Sequence, residues 1–420
     1  MNVFLDRTDA ETAILSLLPG RSDDLARLKI LARVDGTPIV TVIGKYNHGK
    51  SSLLNVLCGA SAFDVADKRQ TIALSEHLAA GVRWLDAPGL DADVASGDDR
   101  EALTAAWQRS DIRLLVHAAK EGELDNSERQ LLGQLDADDQ RTRRQTLFIL
   151  SQVDQLEDET HLAHVTDALA TQAPHVPVHL TSSVRYSRGM EGGKALLVAR
   201  SGIPALKEAL QAACALVPEA RKYEVALRHA DVREEVGTLQ HARNQALATL
   251  LETQVTQAAA FSTGLSEVLD KARDEIQELL DHPGPDDALR PDTHEERFQV
   301  TAGKLERARQ QLALTKVNRR ISSYLVGHGV EELPPSPGCV ASSLNTVMVA
   351  VLGISVKYLE DMRRIYCAEP GRAHLQARFT HYYEISKDRL ALAELITAAV
   401  DARDKAACAA AALQWLEAQA

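Results

Sequence analysis

The 420-residue chain has no pair of cysteines at short spacing. Its five, Cys58, Cys214, Cys339, Cys367 and Cys408, are scattered, which argues against a zinc site or redox dithiol and fits a reducing cytosol. Positive charge is also scarce. With 47 basic against 59 acidic residues and a net charge of −12, a nucleic-acid surface would have to be a local patch in a repulsive field, so nucleic acid is a disfavoured partner. The first thirty residues lack a basic segment followed by a long apolar run. No secretory signal is therefore expected, and the expected location is cytoplasmic. No strand pattern returns after Pro218, and no proline occurs from Glu219 through His282, so the second half is expected to be all-helical.

A hydrophobic content of 45% suffices for at least one full core, and the length favours two or three domains. Two helices are expected before residue 36, over Asp9–Leu18 and Asp23–Val34, the second with Leu25, Leu28, Leu31 and Val34 on one face. From Pro38 onward short apolar runs alternate with helix-length segments: Ile39–Ile43, Val82–Leu85, Ile112–Ala118, Thr146–Leu150 and Val176–Leu180. This alternation predicts an α/β domain with a doubly wound, mostly parallel sheet. Its last helix is expected over Ile203–Leu216, with Pro204 at its start and Pro218 closing it. Beyond it, a helical stalk or bundle is predicted, with Gly237 and Gly264 as candidate breaks, Leu265, Leu269, Ala272, Ile276 and Leu279 on one buried face, and a hairpin turn at His282–Pro291. The expected domains are 1–36, 37–218 and 219–420, the first and last both contributing to the helical part.

The residues Gly44-Lys45-Tyr46-Asn47-His48-Gly49-Lys50-Ser51 match G-x-x-x-x-G-K-[ST], after an expected strand and before an expected helix. In such a loop backbone N–H groups close on phosphates, Lys50 reaches the β and γ oxygens, and Ser51 ligates Mg²⁺ at the positive end of the helix that carries Ser52. Asp86-Ala87-Pro88-Gly89 ends the next strand, where Asp86 would hold Mg²⁺ through water and the Gly89 N–H would sense the γ-phosphate. Thr71 is the candidate switch threonine closing on the metal. After Leu150 comes Ser151-Gln152-Val153-Asp154, in which the Asp154 carboxylate can accept both hydrogen bonds from guanine N1 and N2, which adenine cannot supply. Gln152 stands where the pattern [NT]-K-x-D has a lysine. Thr181-Ser182-Ser183 would set backbone N–H groups against guanine O6. Together these favour GTP over ATP. Leu90 follows Gly89 where Ras-like enzymes place a water-orienting glutamine, so hydrolysis must use another arrangement: Tyr46, Asn47 or His48, switch backbone, a monovalent cation or a second such domain.

The stretch GKYNHGKSSLLNVLCG at 44–59, with DAPGL at 86–90, resembles the dynamin superfamily, specifically the bacterial dynamin-like GTPases of the LeoA type. The resemblance implies a GTPase with long stalk helices, working with Mg²⁺ and K⁺ or Na⁺, that dimerises through its G domains when GTP binds. It implies that Asn47 contributes to hydrolysis and cation placement, that Lys50 and Thr71 are catalytic, and that Ser51, Thr71 and Asp86 hold the metal. Residues 333–356 carry no formal charge and end in the apolar run Val347–Val356, but that run is well short of the ~20 residues needed to span a bilayer. Two readings stay open: a helix buried in the bundle, or a dynamin-style paddle at a stalk tip where Arg319, Arg320, Lys357, Arg363 and Arg364 meet anionic lipid. The leading expectation is a mechanochemical GTPase acting on a membrane. The alternatives are an Era- or TrmE-like GTPase acting on RNA or a ribosome, and a non-hydrolysing GTP-dependent scaffold.

Overall fold

A computed structural model of the chain describes residues 6–32, 36–60, 62–63, 75–87, 104–284, 293–295, 297–331 and 359–419. Val34, Thr71, Pro88, Gly89, Leu90, residues 285–291 of the expected turn, the uncharged stretch 333–356 and Lys357 lie outside the described residues. The chain divides into two compact units, one formed by Met1–Thr238 with Cys408–Ala420 and the other by Leu239–Ala407.

The first unit is built on a six-stranded sheet: β1 (Ile39–Ile43), β2 (Ser75–Ala79), β3 (Val82–Asp86), β4 (Ile112–Ala118), β5 (Gln145–Ser151) and β6 (Val178–Leu180). The order is β2-β3-β1-β4-β5-β6, with β2 antiparallel to β3 and every other pairing parallel. β1 and β4 are buried along their whole length, as expected for strands covered on both faces. One face packs Val40, Val42, Leu54, Leu114 and Ile149 with Ile203, Leu206 and Leu210; the other packs Ile43, Leu115, Phe148 and Leu150 with Leu131, Leu135 and Leu169. The chain leaves β1 toward β3 on one side and pairs with β4 on the other, so the crevice beyond the carboxyl end of β1 is the topological switch point, where ligands bind in open α/β sheets.

β2 was not among the five expected strands. Its residues Ser75-Glu76-His77-Leu78-Ala79 are exposed or half-buried, so an edge position leaves no apolar alternation to read.

Helices α1 (Arg7–Leu17) and α2 (Ser22–Leu31) precede the sheet. α2 buries Leu25, Leu28 and Leu31 as its pattern predicts, and also Arg27. The Arg27 guanidinium lies 2.8 Å from Glu224 and 3.0 Å from Asp111. Arg228 lies 2.7 Å from Glu224, and Arg221 bonds both oxygens of Asp111. Asp111 in turn accepts the Ile39 N–H at 2.8 Å, so this buried ionic cluster fixes the first residue of β1.

The helix expected to stop before Pro218 continues instead from Ile203 to Asp281, 79 residues with Pro218 inside, a path of about 120 Å at 1.5 Å per residue. An interior proline lacks the N–H that Cys214 O would accept, and its ring crowds that carbonyl, at roughly 3 kcal/mol. Burial of Ala213, Val217 and Ala220 on the sheet side and of Glu224 one turn later holds the helix through it.

Gly237 does not break the helix, and neither does Gly264. A Cβ there would meet the Tyr324 hydroxyl at 2.4 Å, and that hydroxyl donates to the Phe261 carbonyl at 2.8 Å. The glycine makes room for a tyrosine. In this second unit Leu265, Leu269, Ala272, Ile276 and Leu279 form the predicted buried face, packed with Val317, Ile321, Leu375 and Phe379. The helices Ala302–Val326, Glu369–Glu384 and Lys387–Ala418 complete the helical part. Among the described residues no helix is long and apolar enough to cross a membrane.

Candidate functional site

The loop Gly44–Gly49 leaves β1 at the switch point and opens helix α3 (Lys50–Cys58). Gly44 has φ 150° and lies so close to β4 that a Cβ would sit 2.2 Å from the Val116 carbonyl oxygen, so only glycine lets the loop turn there. Asn47 and Gly49 are left-handed, at φ 61° and 82°. Asn47 is exposed, whereas Tyr46, Ser51 and Ser52 are half-buried.

Lys50 is 8% exposed, and its ammonium donates to the Lys45 carbonyl at 2.9 Å. Burial lowers its pKa to about 8, with the Asp86 carboxylate opposing the shift. A phosphate arriving at this ammonium favours its charged form, so binding takes up a proton wherever Lys50 is neutral. Nucleotide affinity should therefore be flat near neutral pH and fall above about pH 8, by up to tenfold per unit. Fluorescence titration between pH 7 and 9 checks this; a profile flat to pH 9 contradicts it.

The Ser51 hydroxyl donates to Asp86 Oδ2 at 2.8 Å, while Asp86 Oδ1 is buried without a partner. Burial raises the Asp86 pKa, against the Ser51 hydrogen bond and the Lys50 charge. A hydroxyl and an orphaned carboxylate oxygen side by side are the hard oxygen donors that suit Mg²⁺, so the residues present fit that ion.

Residues 151–154 meet the phosphate loop from the β5 side. Ser151, buried, donates to the His48 carbonyl at 2.6 Å and faces the His117 carbonyl at 3.2 Å. Gln152, left-handed at φ 58°, donates through Nε2 to the Asn47 carbonyl at 2.8 Å. The residue standing in place of a lysine is thus a latch on the loop, a role no spacing rule signals. Asp154 is half-buried and accepts the Ser182 hydroxyl at 2.5 Å. Ser182 also caps the helix Ser183–Glu191, and the Thr181 N–H bonds the Leu150 carbonyl at 2.8 Å. The structure therefore gathers Gly44–Ser51, Asp86, Ser151, Gln152, Asp154, Thr181 and Ser182 at the carboxyl end of one sheet.

His48, a candidate for hydrolysis, is buried beneath the loop rather than exposed on it. It is 3% exposed, with Nδ1 3.2 Å from the Val116 carbonyl, and its ring meets that of His117 edge-on at 5.3 Å. Burial lowers its pKa to about 4. Lys45 pairs with Asp125 and lies 3.5 Å from Glu128, a contact between the loop and the helix Asn126–Thr142 that the sequence pattern did not single out.

Residues 39–152 match the 50S ribosome-binding GTPase family. An uncharacterized protein of Acinetobacter baylyi is 45% identical over 383 residues, 91% of each chain. Among solved structures, a variant of Aquifex aeolicus Era bound to GDP and aluminium fluoride aligns at 19% identity and a TM-score of 0.30, covering 38% of this chain and 55% of that one. The chain thus spans little more than half of the Era chain. A structure of an oligomerised bacterial dynamin pair aligns at 12% identity and a TM-score of 0.36, covering 98% of this chain and 72% of that one. At such TM-scores neither likeness bears on function.

Proposed function

We propose a function from one premise: the chain belongs to the same family as the Acinetobacter baylyi protein, and its residues 39–152 form a GTPase domain. In the proposed reading the chain binds and hydrolyses GTP, and hydrolysis in dimerised G domains moves the helical half, which acts on a membrane. Lys50 holds the β and γ oxygens, Asp154 accepts from guanine N1 and N2, and Thr181 and Ser182 border the base. Ser51 and Asp86 would hold Mg²⁺, which supplies charge neutralisation at the phosphates. Asn47, exposed on the loop, is the side chain proposed to work across a G-domain dimer, with K⁺ or Na⁺ there as a further proposal. Thr71 and Gly89 keep their proposed switch roles.

One observation carries the mechanical part. The Ser182 N–H donates to the Ser201 carbonyl at 2.9 Å, and Gly202, at φ 71°, is pressed so closely on β6 that a Cβ would lie 1.8 Å from the Leu180 carbonyl oxygen. The next residue, Ile203, begins the 79-residue helix. The segment proposed to hold the base is therefore bonded to the root of the longest helix.

Turnover per molecule should rise with protein concentration and rise further with anionic liposomes. If it stays flat and liposomes neither bind nor stimulate, dimerisation and membrane action are refuted. The name of the matched family, 50S ribosome-binding GTPase, favours one second reading, action on a ribosome; co-sedimentation with ribosomes at physiological salt would select it.

A further inference from the structure

Behind the phosphate loop, three buried side chains from three different elements converge: His48 from the loop, His117 from β4 and Glu128 from the first turn of the helix Asn126–Thr142. One ligand atom from each lies within 4.8 Å of the others.

The hydrogen bonds around them fix where the lone pairs point. His117 Nε2 is 3.1 Å from the Gly122 carbonyl, an oxygen that can only accept, so this nitrogen carries the ring proton. Nδ1 is then left facing Glu128 Oε1 at 2.9 Å. Two acceptors cannot meet at that distance without a cation between them, either a proton on the ring or on the carboxyl, or a metal ion. His48 repeats the pattern, with Nδ1 on the Val116 carbonyl, so its lone pair is on Nε2. Each imidazole thus gives one nitrogen to a backbone carbonyl, the outer-shell arrangement that orients a metal-binding histidine. The second oxygen of Glu128 is also held, accepting the Asp125 N–H at 3.2 Å with Lys45 3.5 Å away.

We propose that His48, His117 and Glu128 form a site for a divalent transition metal, Zn²⁺ or Co²⁺, that pins the phosphate loop to β4 and the following helix. Two imidazoles and a carboxylate suit these ions rather than Mg²⁺ or Ca²⁺. Bonds of about 2.0–2.1 Å in a tetrahedral shell put neighbouring ligand atoms roughly 3.3 Å apart. Glu128 Oε1 stands 2.9 Å from His117 Nδ1, and one ligand atom from each of the three residues lies within 4.8 Å of the others, so side-chain adjustments of an ångström or so, on the order of that difference, bring the set to this spacing.

The test uses the full chain, stripped by chelation and kept in excess Mg²⁺, titrated with Co²⁺ and followed by its tetrahedral visible absorption. One equivalent should bind, be displaced by Zn²⁺, and be lost or weakened about a hundredfold or more in His117→Ala and in Glu128→Gln. Glu128→Gln separates ligation from folding, because glutamine keeps the helix-capping hydrogen bond. Absence of the absorption, or equal Zn²⁺ affinity in wild type and Glu128→Gln, overturns the site and leaves a proton-held pair. A second arm rests on the proposed function: release of labelled GDP should slow several-fold when Zn²⁺ is bound. A chain that binds the metal but no guanine nucleotide refutes that function and leaves the metal site standing.

Discussion

Lys50→Ala should lower GTP and GDP affinity about a hundredfold and reduce turnover by a further hundred- to thousandfold. The first figure is the worth of a charge-assisted contact to phosphate, roughly 1.5–3 kcal/mol. The second is the typical effect of deleting one donor from a site where charge develops in the transition state. Calorimetric titration and single-turnover hydrolysis read the two separately. Stability provides the control. The wild-type ammonium is buried on the Lys45 carbonyl and its pKa is lowered by that burial, so the alanine variant should melt no lower than the parent. Loss of binding together with a lower melting temperature would mean that Lys50 supports the fold. Unchanged turnover would refute the catalytic role, and no multiple turnover in the parent would favour a non-hydrolysing scaffold.

Glu224→Ala should destabilise the first unit by about 3–5 kcal/mol, the range for stripping one partner from a buried ion pair. Glu224 is fully buried against Arg27 and Arg228, with Arg144 3.7 Å away. Its removal leaves these guanidinium groups short of counter-charge inside the protein. Adding Arg27→Met to Glu224→Met should recover part of the loss, since an apolar pair of similar volume avoids stranding a charge. Urea melts of the parent, Arg27→Met, Glu224→Met and the double variant form the cycle, and a double-variant loss equal to the sum of the two single losses would refute the coupling. The same carboxylate predicts acid behaviour. Burial opposes its ionisation, but Arg144, Arg27 and Arg228 hold its pKa down to about 2. A folded pKa below the unfolded value near 4.5 means this stabilisation is complete above about pH 4.5 and is lost as pH falls through 2, roughly 3 kcal/mol in all.

Strands β1 and β4 were legible to the residue because a strand buried on both faces reads as a largely apolar run, broken here only by Thr41 in β1 and by Arg113 and His117 in β4. β2 was not, because an edge strand paired on one side needs no apolar face. Pro218 misled because proline preference is local, whereas the helix passes through it on tertiary contacts made by Val217, Ala220 and Glu224. The phosphate loop was legible because glycine spacing is a backbone requirement, and Gly44 against Val116 makes that requirement visible. The partners Lys45, His117, Glu128 and Gln152 were not, since they are set by which strand and helix ends the topology brings beside the loop. Arg27 and Glu224, 197 residues apart, carry no pattern in common.

The grip of Ser151 and Gln152 on the carbonyls of His48 and Asn47 also decides when the loop becomes ordered. Fixing a backbone residue costs roughly 1–2 kcal/mol of conformational entropy. A glycine-containing loop that froze only around its ligand would draw that sum from the binding free energy, one residue after another. Here the side chains of a neighbouring strand end settle the loop as the sheet forms, so the entropy is lost in folding. A nucleotide bound there would meet a loop already shaped.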